Sequence, residues 1–308
     1  MDFQLTDDQR ALRRGVRELL ARRFGRDALR AAVDREGTVD RKLWRELGAA
    51  GFFSLRLPEA EGGAGLGLPE AVLVFEEAGR ALLNGPLVAT HLAACGGLPG
   101  ATDGTRMITC VTQLRSLVPH FADADAAVVI HGGSMRVRYP KELPSARAVR
   151  SLDPLTPLHR IQGGAPKAPP RPDAVLLTAA EQLGSAARTT EAAVQYAKER
   201  EQFGQPIGGF QAVKHLCAQM LVRTEVARAA VYAAAVTEDF TEIAGAKLLA
   251  DEAAVQGARD CLQVYGGMGF TWEADVHLHL KRAWLRAQMW LTAAEAEEIQ
   301  AEALASAL

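Results

Sequence analysis

Two glycine-rich breaks hold the residues best suited to chemistry. One is "REQFGQPIGGFQ" (200–211) and the other "QVYGGMGF" (263–270). Glycines let a backbone approach a ligand closely. A helix that starts after such a loop offers unpaired N–H groups to a phosphate. Arg200 adds a forked donor suited to a pyrophosphate. Phe203 can cover a flat ring, and Gln211 and Gln263 can hydrogen-bond a sugar or a phosphate. Together these residues suit a nucleotide. The alternative is a pair of ordinary interhelical turns, with Arg200 solvated and Phe203 in the core. The residues alone leave both readings open. His277 and His279 stand two apart on a helical stretch, so they face different ways and suggest no metal site. Cys95, Cys110, Cys217 and Cys261 show no metal-pair or CxxC spacing, and they read as reduced, mostly buried thiols.

The elements that must position these breaks are mostly helices. Thr6 and Gln9 form a capping-box pattern, followed by an apolar stripe of Leu12, Val16, Leu19 and Leu20. Asp40 can cap a second helix that buries Leu43, Trp44 and Leu47 and stops near Gly51. Leu68-Pro69 opens another, with Val72, Phe75, Gly79 and Leu82 on one face. Residues 105 to about 170 differ: "RMITCVT", "DAAVVIHGG" and "SMRVRYP" read as strands. "IQGGAPKAPPRP" (161–172) marks a boundary or an ordered linker. Helical spacing returns from 173, with breaks at the two glycine-rich segments and a final helical stretch over about 273–305. The chain is therefore mainly α with a small β insert, and its last part suits a four-helix bundle that could bring both breaks to one end.

Composition narrows the function classes. The chain has 308 residues, 48% hydrophobic and 23% charged, as an ordinary globular protein does. Its formal net charge of −2 argues against nucleic acid or an anionic membrane as the main partner. The first residues, MDFQLTDDQR, are too polar for a signal peptide. No apolar run reaches the ~20 residues of a membrane helix, and the expected location is cytoplasmic.

At the two breaks the chain resembles the acyl-CoA dehydrogenases. "YAKEREQFGQPIGGFQAVKHLCAQM" (196–220) and "DCLQVYGGMGFTWEADVHLHLKRA" (260–283) are similar to that family's two C-terminal signatures. "MDFQLTDDQRALR" and "LRLPEAEGGAGLGLPEAVLVFEEAGRAL" are similar to its helical N-terminal region. The resemblance implies an N-terminal helical domain (1–104), a reduced β-domain (105–170) and a C-terminal four-helix bundle (171–308). It implies FAD as cofactor and an acyl-CoA thioester as substrate. It assigns Arg200, Phe203, Gln211, Gln263, Gly266 and Gly267 to the ADP half of FAD, with Gln202 at a further contact position. In the family these residues reach a flavin held mainly by the neighbouring subunit.

Two departures qualify the resemblance. The family's catalytic base is a glutamate seven residues beyond the alanine of an R-D-A triplet. Here Ala283 closes that triplet, and the count reaches Trp290, which cannot accept a proton. Some relatives place the base ten residues before the glycine that matches Gly184, which is Ala174 here. Asp173 and Glu181 are the nearest carboxylates. Their plain reading is a solvated helix-start acid and a surface glutamate, and Glu295, Glu297 and Glu298 read as surface charges. The β segment is also short, without tryptophan and without a TEPxAGSD-like flavin loop.

Three functions follow. The first is the short, base-lacking subunit of an α2β2 acyl-CoA dehydrogenase, with a steroid side-chain CoA thioester as the natural substrate class. It would complete the FAD site of a longer partner chain, with an electron-transfer flavoprotein as acceptor. The second is a self-sufficient enzyme that uses Asp173 or Glu181 as a displaced base. The third is a non-catalytic bundle scaffold.

Overall fold

In the N-terminal half, local signals match the elements closely. The computed structural model describes residues 4–111, 117–131, 134–142, 145–161 and 169–307. Thr6 and Gln9 cap α1 (Asp7–Arg23) reciprocally, at 3.0 and 3.1 Å. After α2 (Arg26–Asp34), Asp40 accepts from Lys42 N and Leu43 N to start α3 (Arg41–Ala49). That helix buries Leu43, Trp44 and Leu47, and the chain turns at Gly51, φ 81°. Next come α4 (Leu68–Arg80) and α5 (Leu87–Cys95), which is buried from Leu87 to Ala94, Thr90 and His91 included.

The six strands that follow are β1 (Ile108–Val111), β2 (Leu117–Pro119), β3 (Ala126–His131), β4 (Ser134–Arg138), β5 (Ala146–Val149) and β6 (Leu158–Ile161). They form two three-stranded sheets, β1-β3-β4 and β2-β6-β5. Among the described residues, only β1 and β3 run parallel. Val111, Val118, Ala127 and Ile161 join both sheets in one buried cluster. The strands expected around 108, 126 and 134 are present, whereas β2, β5 and β6 are too short to stand out in the sequence. Thr112, Gly132 and Gly133, at the ends of the expected strands, lie outside the described residues. So does most of the expected linker, 162–168.

The C-terminal half consists of α6 (Pro172–Glu199), a hairpin of β7 (Glu201–Gln202) and β8 (Gln205–Pro206), α7 (Gln211–Thr237), α8 (Phe240–Tyr265), α9 (Val276–Arg286) and α10 (Ala293–Ala307). The single stretch expected over 273–305 is therefore two helices. Residues 287–292 turn between them, with Trp290 at φ 65°. A second capping box restarts the helix: Glu295 accepts from Thr292 N and Oγ1, both at 2.9 Å. Glu295 is thus a cap, while Glu297 and Glu298 are exposed as expected.

The chain divides into two compact units. One gathers Met1–Arg17, Phe75–Leu82 and Val175–Leu308; the other gathers Glu18–Val74 and Leu83–Ala174. The first unit is helical. Its helices approach closely where glycine permits it: a Cβ on Gly184 would lie 1.8 Å from Glu76 O, and one on Gly79 would lie 2.0 Å from Glu181 O. The second unit contains both sheets and a buried aromatic group, with Trp44 packed on Phe53 at 4.7 Å. All four cysteines are free; Cys261 is buried and the other three are half-buried. Among the described residues, no helix is long and apolar enough to cross a membrane.

Candidate cofactor-binding site

The first glycine-rich break is a built structure. The Arg200 N–H continues α6 by donating to Tyr196 O at 2.8 Å, and Ile207 N donates to Arg200 O at 2.7 Å. Between them β7 and β8 pair Glu201 with Pro206 and Gln202 with Gln205. Only Phe203 and Gly204 remain for the turn, at φ 54° and 79°. Positive φ at both central residues is the mark of a type I′ hairpin, which prefers Asn-Gly. A phenylalanine in the left-handed region costs on the order of 1–2 kcal/mol. The ring gains little burial in return: Phe203 is 90% exposed and stands edge-on to Phe210, at 6.0 Å. The reading that places Phe203 in the core is therefore wrong, because the hairpin points this residue outward.

The chain then folds back against α6. A Cβ on Gly208 would lie 2.9 Å from Ala197 O. The N-cap of α7, Phe210, gives no side-chain cap, so the first N–H groups of the helix keep their donor capacity. Gln211 stands at this start and is exposed, with its Nε2 3.0 Å from His215 Nε2. Arg200 and Gln202 are exposed as well. Among the described residues, no carboxylate pairs with Arg200.

The second break caps α8. Gly266 has φ 58° and ψ −139°, a backbone open only to glycine. A Cβ on Gly266 or Gly267 would meet nothing within 4 Å. The glycines therefore leave open space on the side where a ligand could lie against the backbone. Gln263 is exposed one turn earlier. Both breaks rest on one buried cluster that includes Ala193, Ala197, Met220, Cys261 and Leu262, with Tyr196, Ile207 and Tyr265 packed against it. The structure thus brings Arg200, Gln202, Phe203 and Gln211 to the same end of the unit as Gln263, Gly266 and Gly267. A guanidinium, three amides, a helix N-terminus and an exposed ring form a donor set that fits an anionic dinucleotide.

The carboxylates singled out in the sequence are occupied. In its own unit, Asp173 takes two bonds from Arg171, at 3.2 and 2.9 Å, and an ion pair from Arg56 at 3.6 Å. Burial pushes this carboxyl up, but the Arg171 bonds and the two positive charges outweigh that and hold it below its usual value. Glu181 is not a surface glutamate. It is buried, and Arg286 donates to its Oε1 at 2.7 Å. Burial holds its carboxyl above the usual value, and Arg286 and then Arg282 draw it only part of the way back. The pair belongs to a buried network. Gln182 Nε2 donates to Asp251 at 2.8 Å and to Ala283 O at 3.0 Å, and Lys247 pairs with Asp251 and donates to Arg286 O. Ala174 is fully buried. Trp290 lies half-buried in the turn after α9.

His279 is buried, with Nδ1 2.8 Å from Ser185 Oγ, whereas the half-buried His277 stands edge-on to Trp272 at 4.8 Å. The two point apart as expected, and no metal-binding cluster occurs among the described residues. The sequence reading missed an apolar outer face. Leu221, Val222 and Val226 on α7 are exposed, as are Met268, Phe270 and Trp272 beyond α8. For α7 the signal was present: Leu221, Val222 and Val226 fall off its buried stripe, where a solvated helix would carry charge.

Comparison with known proteins places this site in context. The profile described as acyl-CoA dehydrogenase, C-terminal domain, matches residues 175–308, and that of the N-terminal domain matches residues 6–106. The chain is 37% identical over 300 residues to the Mycobacterium tuberculosis protein named acyl-CoA dehydrogenase IpdE2, covering 92% of this chain and 93% of that one. It is 34% identical to the Mycolicibacterium smegmatis protein of the same name, over 92% and 95% of the two chains. Among solved structures, the ChsE4-ChsE5 complex from Mycobacterium tuberculosis superposes with a TM-score of 0.86 at 24% identity, over 99% of each chain. The glutaryl-coenzyme A dehydrogenase glutaryl-CoA complex superposes with a TM-score of 0.87 at 21% identity, over 100% of this chain and 98% of that one.

Proposed function

The chain belongs to the acyl-CoA dehydrogenase family, and on that premise we propose that it is the base-lacking subunit of an FAD-dependent acyl-CoA dehydrogenase. It assembles with a longer, base-bearing chain as an α2β2 complex and completes that chain's FAD site. The observation that carries this reading is the outward-facing loop. Among the described residues Arg200 has no carboxylate partner, Phe203 is held exposed at a strained turn, and Gly266 and Gly267 open onto space. FAD supplies the hydride acceptor for α,β-dehydrogenation of an acyl-CoA. This chain's part is to bind and orient: Arg200 and the α7 N-terminus meet the pyrophosphate, Phe203 covers a ring, and Gln202, Gln211 and Gln263 hydrogen-bond the ADP half. Trp290 stands at the position of the family's base and can take no proton. The exposed apolar residues on α7 suit coverage by another subunit. The name of the ChsE4-ChsE5 complex supports a two-chain assembly, and the steroid side-chain CoA thioester remains the substrate class of this proposal. An electron-transfer flavoprotein is the proposed acceptor.

The displaced-base reading is disfavoured because Asp173 and Glu181 are each already committed to arginine. The test is to purify the chain alone and together with a longer family member encoded nearby. Flavin absorbance and dye reduction should appear only with the partner. A yellow, active enzyme from this chain alone would overturn the proposal.

A further inference from the structure

Tyr196 and Tyr265 link the two glycine-rich breaks. Tyr196 is on the last turn of α6, and its carbonyl receives the Arg200 N–H. Tyr265 is the last residue of α8, directly before Gly266. Their rings lie 4.1 Å apart between centroids and only 13° from parallel. Both pack on the buried cluster under the two breaks, beside Ile207 of the first break. The tip of each break gains no such support: Gly204, Gly266 and Gly267 each have open space around a would-be Cβ. The hairpin itself is a two-pair ladder, too short to hold its own direction. The ends of α6 and α8 are far apart in sequence, so their registration depends on what packs between them.

We infer that the Tyr196–Tyr265 stack is a positioning pair, which fixes the Arg200 loop and the Gly266–Gly267 loop relative to each other so that both meet one dinucleotide. The inference rests on the FAD-completing role proposed above. It is the ring faces that act, so phenylalanine at either position retains the function and leucine loses it.

The experiment uses the chain in complex with its longer partner, and the chain alone for hydrogen exchange. FAD affinity of the folded complex is read by flavin fluorescence for wild type, Tyr196→Phe, Tyr196→Leu, Tyr265→Phe, Tyr265→Leu and the double leucine variant. Each leucine variant is expected to bind FAD about three- to tenfold more weakly, with the double variant no weaker than either single one, because an aromatic pair is lost only once. Each phenylalanine variant should stay within about twofold of wild type. In the chain alone, Tyr196→Leu should speed amide exchange in 266–270, and Tyr265→Leu should speed it in 200–207. This second readout needs no cofactor, and a purely local packing loss would not move the distant loop. Faster exchange confined to the mutated residue's own loop would overturn the inference, as would a phenylalanine variant as weak as leucine. Arg200→Ala separates the two levels. If it weakens FAD while both leucine variants do not, the positioning role alone is wrong; if it leaves FAD affinity unchanged, the FAD-completing reading falls and takes this inference with it.

Discussion

Acid should destabilise this protein through two buried histidines, His91 and His279. Burial is the main cause in each, adding to nearby positive charge. His91 is lowered to about 4 by burial and then by Arg56, and His279 to about 3 by burial and then by Arg188, Arg286, Arg282 and Arg80. Both fall below the ordinary histidine value of about 6.5. The unfolded chain therefore binds a proton that the folded chain refuses, and stability present above pH 6.5 is lost as pH falls toward 4 for His91 and 3 for His279. At pH 5, which is above both folded values, the loss depends almost entirely on the 1.5-unit gap to the ordinary value. At about 1.36 kcal/mol per unit this is about 2 kcal/mol for each histidine, and about 4 kcal/mol for the pair. That is a large share of the ~5–15 kcal/mol that holds a typical protein folded.

Urea unfolding at pH 7, 6 and 5 measures the effect. In His279→Asn the amide can keep a hydrogen bond to Ser185 but takes up no proton. The variant is expected to start less stable at pH 7 and to lose about 2 kcal/mol less than wild type on the way to pH 5. Parallel profiles for variant and wild type would refute the argument, because they would mean that His279 protonates without cost in the folded state.

The remaining predictions address packing, charge and strain. Glu181→Gln leaves Arg286 buried without its counter-charge and should cost about 3–5 kcal/mol in urea unfolding, whereas Glu181→Leu combined with Arg286→Met should recover most of that loss. Gly184→Ala drives a methyl into the Glu76 carbonyl, where helix backbone rather than a side chain must move, and should cost about 2–3 kcal/mol. Phe203→Asn suits the type I′ turn, so it should raise the stability of the isolated chain by about 0.5–1 kcal/mol while weakening FAD binding in the assembled complex. If Phe203→Asn left FAD affinity intact, the ring would have no part in the site.

What the sequence made legible was local. Thr6, Asp40 and Leu68-Pro69 announced helix starts because caps act within one turn, and the structure places α1, α3 and α4 there. The buried stripe of α6 could be read off as Leu183, Ala186, Thr190 and Ala193, since one face repeats every three to four residues. The two breaks were visible from glycine and from their motifs. Hidden features depended on distance. The partner of Glu181 lies 105 residues further along, so nothing near the glutamate marks it as buried. Asp173 has one arginine two residues away, but the other, Arg56, lies in a distant part of the chain. The hairpin at Phe203 went unread for another reason: Phe-Gly is not a turn signal, and only the backbone reveals that the phenylalanine is forced.

That forcing bears on function when set beside the charge pairing of the helical unit. Arg17 forks onto Glu77 at 2.8 and 2.6 Å, Arg80 pairs with Glu191, Arg228 with Glu76, and Arg286 with Glu181. These carboxylates each bind an arginine from another helix, and such pairing satisfies charges that would be costly to bury alone. Arg200 departs from this pattern: it is exposed and has no carboxylate partner among the described residues. Three residues later the chain accepts a left-handed phenylalanine and leaves its ring in water. Folding of the isolated chain gains from neither choice: an exposed, solvated Arg200 adds next to nothing to stability, and asparagine in place of Phe203 would be more favourable. Both features fall on one loop, and both gain a use if that loop meets an anionic group and a flat ring. A surface loop selected only to join α6 to α7 would have no reason to retain either.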